Sequence, residues 1–232
     1  MTSFNEDALS QAAIKIVACD QRLTRSNRGS SGIVGKLASI KMQRVVCWWT
    51  QAERDCLYLL EIDDDILSYQ VRPFKILYTF RDKPHTFIPN FLLHRPNGEQ
   101  LIKITLGKQR EDGDIEERKI NFLRERCLSI GYELCVLTEP EIREQPRLDN
   151  AKALLKYATT PVDAPIFQLF CLELFTQQPI VPLGQLIQYF EMKGASKRHV
   201  YALMFRKVLQ IDLTAQITAQ TPVRFTGPTI FQ

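Results

Sequence analysis

An Asn-Gly pair, Asn97-Gly98, separates two strand-like runs at residues 86–93 and 100–106. Asn-Gly flanked by such runs is the strongest short-range signal of a two-residue hairpin, because the favoured turn needs positive φ at both central residues. An antiparallel hairpin is therefore predicted here, and it requires the neighbouring segments to build or cover a sheet.

The segments around this hairpin predict helices and further strands. Thr50 and Glu53 have the spacing of a capping box, and apolar residues follow at helical intervals. Strands are predicted at 67–71 and 73–80, a helix at 114–129 with Gly131 just past its end, and a buried strand at 132–137. This order is typical of an α/β layer with a mixed sheet.

The last third of the chain has a different pattern. Helices are predicted at 166–177, 183–193 and 196–208, and short strands at 209–213 and 223–225. Three helices followed by a hairpin is the winged-helix order. We therefore expect three parts: a basic N-terminal arm (1–44), an α/β domain (45–147) and a small, mostly helical domain (148–232).

The net charge of +4 over 232 residues is unevenly distributed. Residues 1–50 carry +4, residues 51–150 carry −4 and residues 151–232 carry +4. Basic segments favour a polyanionic partner, although a solvated, flexible arm is the alternative for the first segment. The candidate DNA-binding residues are Arg22, Arg25, Arg28, Lys36, Lys41, Arg44, Lys197 and Arg198.

Composition excludes several classes of protein. No apolar run approaches eighteen residues and the first residues do not form a signal peptide, so we expect a cytoplasmic protein that does not bind membranes. The six cysteines contain no C-x-x-C pair, and the three histidines are isolated. Neither a zinc site nor a catalytic Cys–His pair is predicted.

Short motifs along the chain occur in a familiar order. They are KLASIK (36–41), ERD (53–55), DDILSY (64–69), RPF (72–74), IPNFL (88–92), LIKIT (101–105), VLQIDL (208–213) and TPV (221–223). Over roughly residues 22–223 this succession resembles the TnsA family, the endonuclease subunit of heteromeric transposases.

The resemblance implies a restriction-endonuclease-like fold, a mixed sheet flanked by helices, followed by a winged-helix-like domain. It also implies three partners: DNA at transposon ends or targets, a DDE transposase subunit, and an AAA+ transposition ATPase that the C-terminal region engages. In this family a helix Glu, a Pro-Asp and a Glu/Gln-x-Lys on the next strand form a Mg²⁺-dependent nuclease site.

This sequence departs from that signature at most catalytic positions. Glu53 matches the helix glutamate, but Asn90 stands at the aspartate position, and Lys103 and Thr105 stand at the Glu/Gln-x-Lys positions. Two further departures lie nearby, Trp49-Thr50 for the usual Glu-Ser and Arg72-Pro73 for the usual Gln-Pro.

These departures remove the charges that a divalent cation needs. A lysine about 4 Å from Mg²⁺ costs on the order of 8 kcal/mol at an effective dielectric near 20. We therefore predict no metal ligands and no cofactor, with Mg²⁺ required only if the site is active, and a salt bridge between Glu53 and Lys103.

Three functions follow from these expectations. The favoured one is a catalytically inactive TnsA-like assembly or regulatory subunit that binds DNA and transposase components. The first alternative is an active endonuclease that nicks transposon ends with a rearranged site, using Glu99, Asp82 or Lys108. The second is a stand-alone DNA-binding regulator.

Overall fold

The computed structural model describes residues 14–19, 34–105 and 113–227. Its contacts divide the chain into two compact units, Met1–Ile142 and Arg143–Gln232, and each unit has a core cluster of its own. The division at Ile142 lies close to the predicted domain boundary at residue 147. No helix within the described ranges is long and apolar enough to cross a bilayer.

The described residues of the first unit form an α/β structure. In chain order the elements are β1 (Lys15–Ala18), β2 (Gly35–Ser39), β3 (Arg44–Trp48), α1 (Gln51–Ile62), β4 (Ser68–Val71), β5 (Phe74–Phe80), β6 (Lys83–Phe87), β7 (Phe91–Arg95), β8 (Gly98–Thr105), α2 (Gly113–Ser129), β9 (Tyr132–Thr138) and α3 (Glu139–Ile142). The predicted helix after Thr50 is confirmed as α1.

A four-stranded mixed sheet, in the order β4-β7-β8-β9, lies at the centre of this unit. Strands β7 and β8 are antiparallel and pair from Arg95 opposite Gly98, so the predicted hairpin is present. The predicted turn is shifted by one residue, because Pro96 and Asn97 connect the strands and Gly98, with a φ of 136°, already belongs to β8. Strand β9 pairs with β8 in parallel after the intervening helix α2. The predicted α/β class with a mixed sheet is therefore confirmed.

The two faces of this sheet pack against different elements. On one face Phe91 pairs with Ile102, and Tyr69 contacts Phe91 edge-on and donates its hydroxyl proton to Glu61 of α1. On the other face Leu101 belongs to a core cluster that includes residues of α2, β5 and β6. Because strand side chains alternate, a residue of β8 faces either α1 or α2 according to its parity.

One predicted strand is two strands in the structure. Residues 86–93 were expected to be continuous, but β6 ends at Phe87 and pairs with β5, whereas β7 starts at Phe91 and pairs with β4 and β8. The break falls at Ile88-Pro89-Asn90, since Pro89 has no N–H to donate to a ladder. Asn90 therefore stands where the chain passes from one sheet to the other.

The segment predicted as a basic arm contributes two strands. Strand β1 pairs antiparallel with β5, and β2 forms a hairpin with β3 that spans the predicted boundary at residue 44. A Cβ atom on Gly35 would lie 2.3 Å from the Trp48 ring. This hairpin therefore needs a glycine at that position.

The second unit is mostly helical. Its elements are α4 (Arg147–Leu155), α5 (Ala164–Gln177), β10 (Val181–Pro182), α6 (Leu183–Met192), α7 (Lys197–Phe205), β11 (Leu209–Gln210) and β12 (Pro222–Phe225). The three predicted helices are present as α5, α6 and α7, and β12 pairs antiparallel with both β10 and β11. The strand predicted at 209–213 ends at Gln210.

Candidate functional site

Glu53 is held in place by the local structure of the α1 N-terminus. The side chain of Thr50 accepts the Glu53 N–H at 3.1 Å, and Glu53 Oε2 accepts the N–H groups of Thr50 at 3.1 Å and Trp49 at 2.5 Å. This is the capping box that the sequence predicts. It places a fully buried carboxylate (0% exposed) at the start of the helix.

The second carboxylate oxygen is bound by two distant side chains. Glu53 Oε1 accepts a hydrogen bond from Asn90 Nδ2 at 2.8 Å and from Arg72 Nη2 at 3.1 Å. A carboxylate offers about four lone-pair sites. The two oxygens of Glu53 thus receive four N–H donors, which uses their accepting capacity.

Asn90 connects Glu53 to the sheet on both sides. Its carbonyl accepts the Arg72 N–H at 2.9 Å, and its own N–H donates to the Ile102 carbonyl at 2.8 Å. Its Oδ1 accepts the Ile104 N–H at 2.8 Å. An amide suits this position, because the side chain donates to a carboxylate at one end and accepts a backbone proton at the other.

Arg72 supplies the positive charge beside Glu53. Its φ of 45° is in the left-handed region, which is sparsely populated by non-glycine residues and stores strain. Its guanidinium lies over the Trp49 ring at 4.1 Å from the centroid, an attractive cation–π geometry. The side chain is 28% exposed, so part of it is in contact with solvent.

Lys103 and Thr105 do not join Glu53. Ile102 faces α1 together with Phe91, so Lys103 and Thr105 point to the opposite face of the sheet by alternation. The predicted salt bridge between Glu53 and Lys103 is wrong, and Arg72 takes that place. Lys103 Nζ instead lies 3.5 Å from the Ile88 carbonyl oxygen and 5.7 Å from the Phe87 ring.

The pKa of Lys103 is shifted by burial and by neighbouring charges. Burial lowers the pKa of the Lys103 ammonium, and the positive charge of Arg72 lowers it further. The negative charges of Glu53 and Glu116 raise this pKa and partly offset that decrease. Arg72 and Lys103 are therefore electrostatically coupled although they approach from different faces of the sheet.

The residues considered for a rearranged metal site are engaged or lie elsewhere. Glu99 is 2.7 Å from His94 Nδ1, and Asp82 is exposed in the turn between β5 and β6. Lys108 lies outside the described residues. Across residues 14–19, 34–105 and 113–227, no group of three His, Cys, Asp or Glu side chains is arranged to hold a metal ion.

The predicted DNA-binding residues of the arm lie partly inside and partly outside the described residues. Arg22, Arg25 and Arg28 lie outside the described residues. Lys36 and Arg44 are exposed on the β2–β3 hairpin, and the pairing of Lys36 with Cys47 and of Arg44 with Ser39 puts them on opposite faces.

Lys41, the last of the arm candidates, has an internal role. Its ammonium donates to the carbonyl of Ile66 at 2.7 Å and to that of Asp63. These carbonyls lie just beyond the C-terminus of α1, so Lys41 ties the hairpin to the helix end.

The tail candidates lie together at the start of α7. Lys197 and Arg198 are exposed in its first turn, Lys197 Nζ lies 5.2 Å from the Tyr201 ring, and Arg198 contacts the Ser196 hydroxyl at 3.4 Å. His199 Nδ1 accepts the Ser196 N–H at 3.0 Å and closes the helix N-terminus. Both cations thus extend from a capped helix start.

Sequence reasoning missed the partnership of Arg72 with Trp49 and Glu53. Trp49 and Arg72 both stand at positions that differ from the pattern of the family that the sequence resembles. The available signal was that Trp49, Arg72 and Glu53 each lie near the end of a predicted element.

No family model matches the chain, and no curated protein matches it significantly. The resemblance to TnsA therefore depends on the quoted motifs alone. Function has to be argued from the geometry of the residues described above.

Proposed function

We propose that this chain is a TnsA-like transposition protein with an inactive nuclease site. It binds DNA and acts beside a DDE transposase and an AAA+ ATPase as an assembly or regulatory subunit. In this proposal the first unit has a restriction-endonuclease-like core and the second is winged-helix-like. The motif order and the chemistry around Glu53 support it.

The saturation of Glu53 is the observation that carries the proposal. Its two oxygens accept four N–H groups, from Trp49 and Thr50 on one side and from Arg72 and Asn90 on the other. Mg²⁺ needs oxygen ligands and gives up its water reluctantly. To bind a metal, Glu53 would have to release the guanidinium and the amide that already satisfy it.

The local charge also opposes a metal. The guanidinium of Arg72 is 3.1 Å from Glu53 and occupies the side of the carboxylate where a cation would bind. Asn90 contributes no charge, and the β8 residues on the α1 face, Ile102 and Ile104, are apolar. A second cation beside Arg72 would be strongly repelled, by several kcal/mol at an effective dielectric near 20.

Exposed cations support the DNA-binding part of the proposal. Lys36, Arg44, Lys197 and Arg198 are exposed, and within the described ranges none of them has an ion pair. In a winged helix the first turn of the recognition helix enters the major groove. Lys197 and Arg198 occupy that turn if α7 is the recognition helix.

A nicking assay tests the inactive site. Supercoiled DNA carrying the transposon end is incubated with the protein and Mg²⁺ or Mn²⁺, and we expect no nicked product above the level of a Glu53→Ala variant. Robust cleavage by the wild type that the Glu53→Ala variant lacks overturns the inactive site and favours the endonuclease alternative.

A second experiment tests the partners. The protein is tested in pull-downs against the transposase and ATPase encoded beside it, and in gel shifts on transposon-end and random DNA. We expect capture of at least one partner and binding to DNA. DNA binding without any capture favours the stand-alone regulator, and the Lys197→Gln/Arg198→Gln variant shows whether the second unit contributes to DNA binding.

A further inference from the structure

Helix α5 of the second unit carries apolar residues on two sides. Its buried residues recur one turn apart and belong to the core of the unit: Phe167, Cys171 and Phe175. Three large aliphatic side chains lie outside that stripe and are about half exposed: Ile166 (48%), Leu169 (56%) and Leu172 (42%). An ordinary surface helix has one apolar stripe and a polar opposite side. We call this second apolar surface the α5 face.

The α5 face continues into a cleft between α5 and α6. The cleft has a volume of about 570 Å³ and is lined on α5 by Leu169 and Leu172 and on α6 by Tyr189. Lys193 also lines it, and the preceding residue, Met192, is 79% exposed. A concave, exposed apolar surface of this kind is typical of a protein–protein contact.

The α5 face is almost free of charge. Residues 157–190 contain two charged residues, Asp163 and Glu173, although 24% of the whole chain is charged. Asp163 caps α5 by accepting the Ile166 N–H at 3.4 Å, and Glu173 pairs with Lys193 at 2.8 Å. Both charges are therefore engaged within the unit. The face offers no net charge to a nucleic acid or to another strongly charged partner.

We propose that the α5 face is a self-association surface, on which two copies of this chain form a weak two-fold dimer. A second copy presents the same uncharged aliphatic surface, so no unpaired like charges meet when two α5 helices pack together. Two-fold dimers are the commonest oligomers, and their interface is self-complementary. The inference goes beyond the proposed function, which assigns no role to α5, and either can fail without the other.

Helical spacing sets the arrangement of the dimer. Leu169 and Leu172 are three residues apart and are neighbours on the helix surface. In an antiparallel pair of α5 helices with the axis between these positions, Leu169 of each copy packs against Leu172 of the other, as a two-fold interface requires. The face has far fewer residues than the roughly 20–30 per partner of a standard stable interface. We therefore expect a Kd on the order of 10 µM.

Sedimentation velocity of the full chain, from about one tenth to about ten times this Kd, tests the dimer. We expect a concentration-dependent shift from monomer to dimer and no larger species, because a two-fold interface closes. Leu169→Glu places an unpaired charge in the interface and should weaken the dimer about tenfold or more. Leu128→Glu makes the same change on α2, where the leucine is 68% exposed, and should dimerise like the wild type.

A mixing experiment tests the pairing of the two leucines. Leu169→Glu and Leu172→Lys are each expected to be mostly monomeric, whereas an equal mixture should dimerise again, because the new carboxylate meets the new ammonium. Circular dichroism and thermal unfolding check that each variant is folded. Both positions are about half exposed, so little loss of stability is expected.

The outcomes decide between a second copy and another occupant. A wild type that stays monomeric at every concentration overturns the proposal, and so does a dimer that Leu169→Glu and Leu128→Glu form equally well. A mixture that remains monomeric overturns the pairing of Leu169 with Leu172. If the wild type is monomeric and Leu169→Glu abolishes capture of a partner in the pull-downs described above, that partner occupies the α5 face instead.

Discussion

Helix α1 has a buried carboxylate near each end, and the two are satisfied in different ways. Glu61 accepts the hydroxyl protons of Ser39 and Tyr69 on one oxygen and the N–H groups of Ile40 and Lys41 on the other. Glu53 also accepts four donors, but one of them is the guanidinium of Arg72. The two residues have the same side chain and similar burial, yet one has neutral partners and the other has a cation.

The difference separates a carboxylate with neutral, structural partners from one that is paired with a partly exposed cation. All four partners of Glu61 lie in the β2–β3 hairpin or in β4, and they fasten α1 to both elements. Burial and the hydrogen bond to Glu61 raise the pKa of the Tyr69 hydroxyl well above its ordinary value, so this donor keeps its proton. At the Glu53 end, by contrast, the Arg72 partner is 28% exposed, while Glu53 itself is buried.

The largest expected effect is at the Glu61 end. Glu61→Ala leaves two hydroxyls and two backbone N–H groups without their acceptor in a buried place, and we expect a loss of about 3–5 kcal/mol in unfolding free energy. Urea unfolding measures it, with the exposed Glu125→Ala as the matched control. A loss below that of Glu53→Ala would contradict the comparison.

Glu53→Ala is expected to destabilise less. The change removes the capping box and leaves Arg72 and Asn90 without their acceptor, but Arg72 can turn toward water because its side chain is 28% exposed. We expect a loss of about 2 kcal/mol, again by urea unfolding. In Glu53→Gln one acceptor oxygen remains, so a smaller loss is expected than for alanine.

Removal of the Arg72 cation should increase the difference between the Glu53 and Glu61 ends of α1. Arg72→Gln combined with Asn90→Asp removes the guanidinium that contacts Glu53 and puts a second carboxylate beside it. We expect Mn²⁺ at about ten times its Kd to stabilise this variant by about 1–2 kcal/mol, seen as a rise in the unfolding midpoint.

The control for the metal prediction keeps the same charge changes on the surface of α2. Arg118→Gln with Asn121→Asp is the matched pair, since both positions are exposed. Neither this variant nor the wild type should respond to Mn²⁺. An equal response of all three proteins would show that the ion binds away from Glu53.

The smallest effect concerns Lys103. Its pKa is lowered in the folded state by burial and by Arg72, so the protonated lysine destabilises the fold at neutral pH. As pH rises through the folded pKa toward the ordinary value of 10.5, the folded protein loses the proton first and stability increases. Lys103→Met should therefore be more stable than the wild type at pH 7, by on the order of 1 kcal/mol.

The same variant supplies the pH readout. Urea unfolding of wild type and Lys103→Met across the alkaline range should show the difference shrinking as pH rises. The charged groups coupled to Lys103 are Arg72, Glu53 and Glu116. A difference that stays constant with pH would mean that lost packing, and not the charge, sets the effect.

The sequence predicted those parts of the site that depend on near neighbours. Thr50 and Glu53 are three residues apart, and the capping box forms as expected. The β7–β8 hairpin also forms near Asn97-Gly98, although the two residues that connect its strands are Pro96 and Asn97. The fold class followed from the order of these elements.

The partners of Glu53 could not be predicted in the same way. The failed pairing with Lys103 depends on parity along β8, and a shift of one residue moves a strand side chain to the other face. That parity is set by the register of β8 with β7, in which Phe91 stands opposite Ile102. Sequence alternation within β8 alone does not say which face meets α1.

The chain by itself thus determined a capped helix, a hairpin, a mixed sheet and a glutamate at a helix start, because each depends on interactions within a few residues. The tertiary structure decided which charge meets that glutamate. Arg72 is 19 residues away along the chain, and its left-handed backbone and its stacking on Trp49 bring it to Glu53. Long-range electrostatic partners depend on how whole elements are placed, and no local pattern encodes that placement.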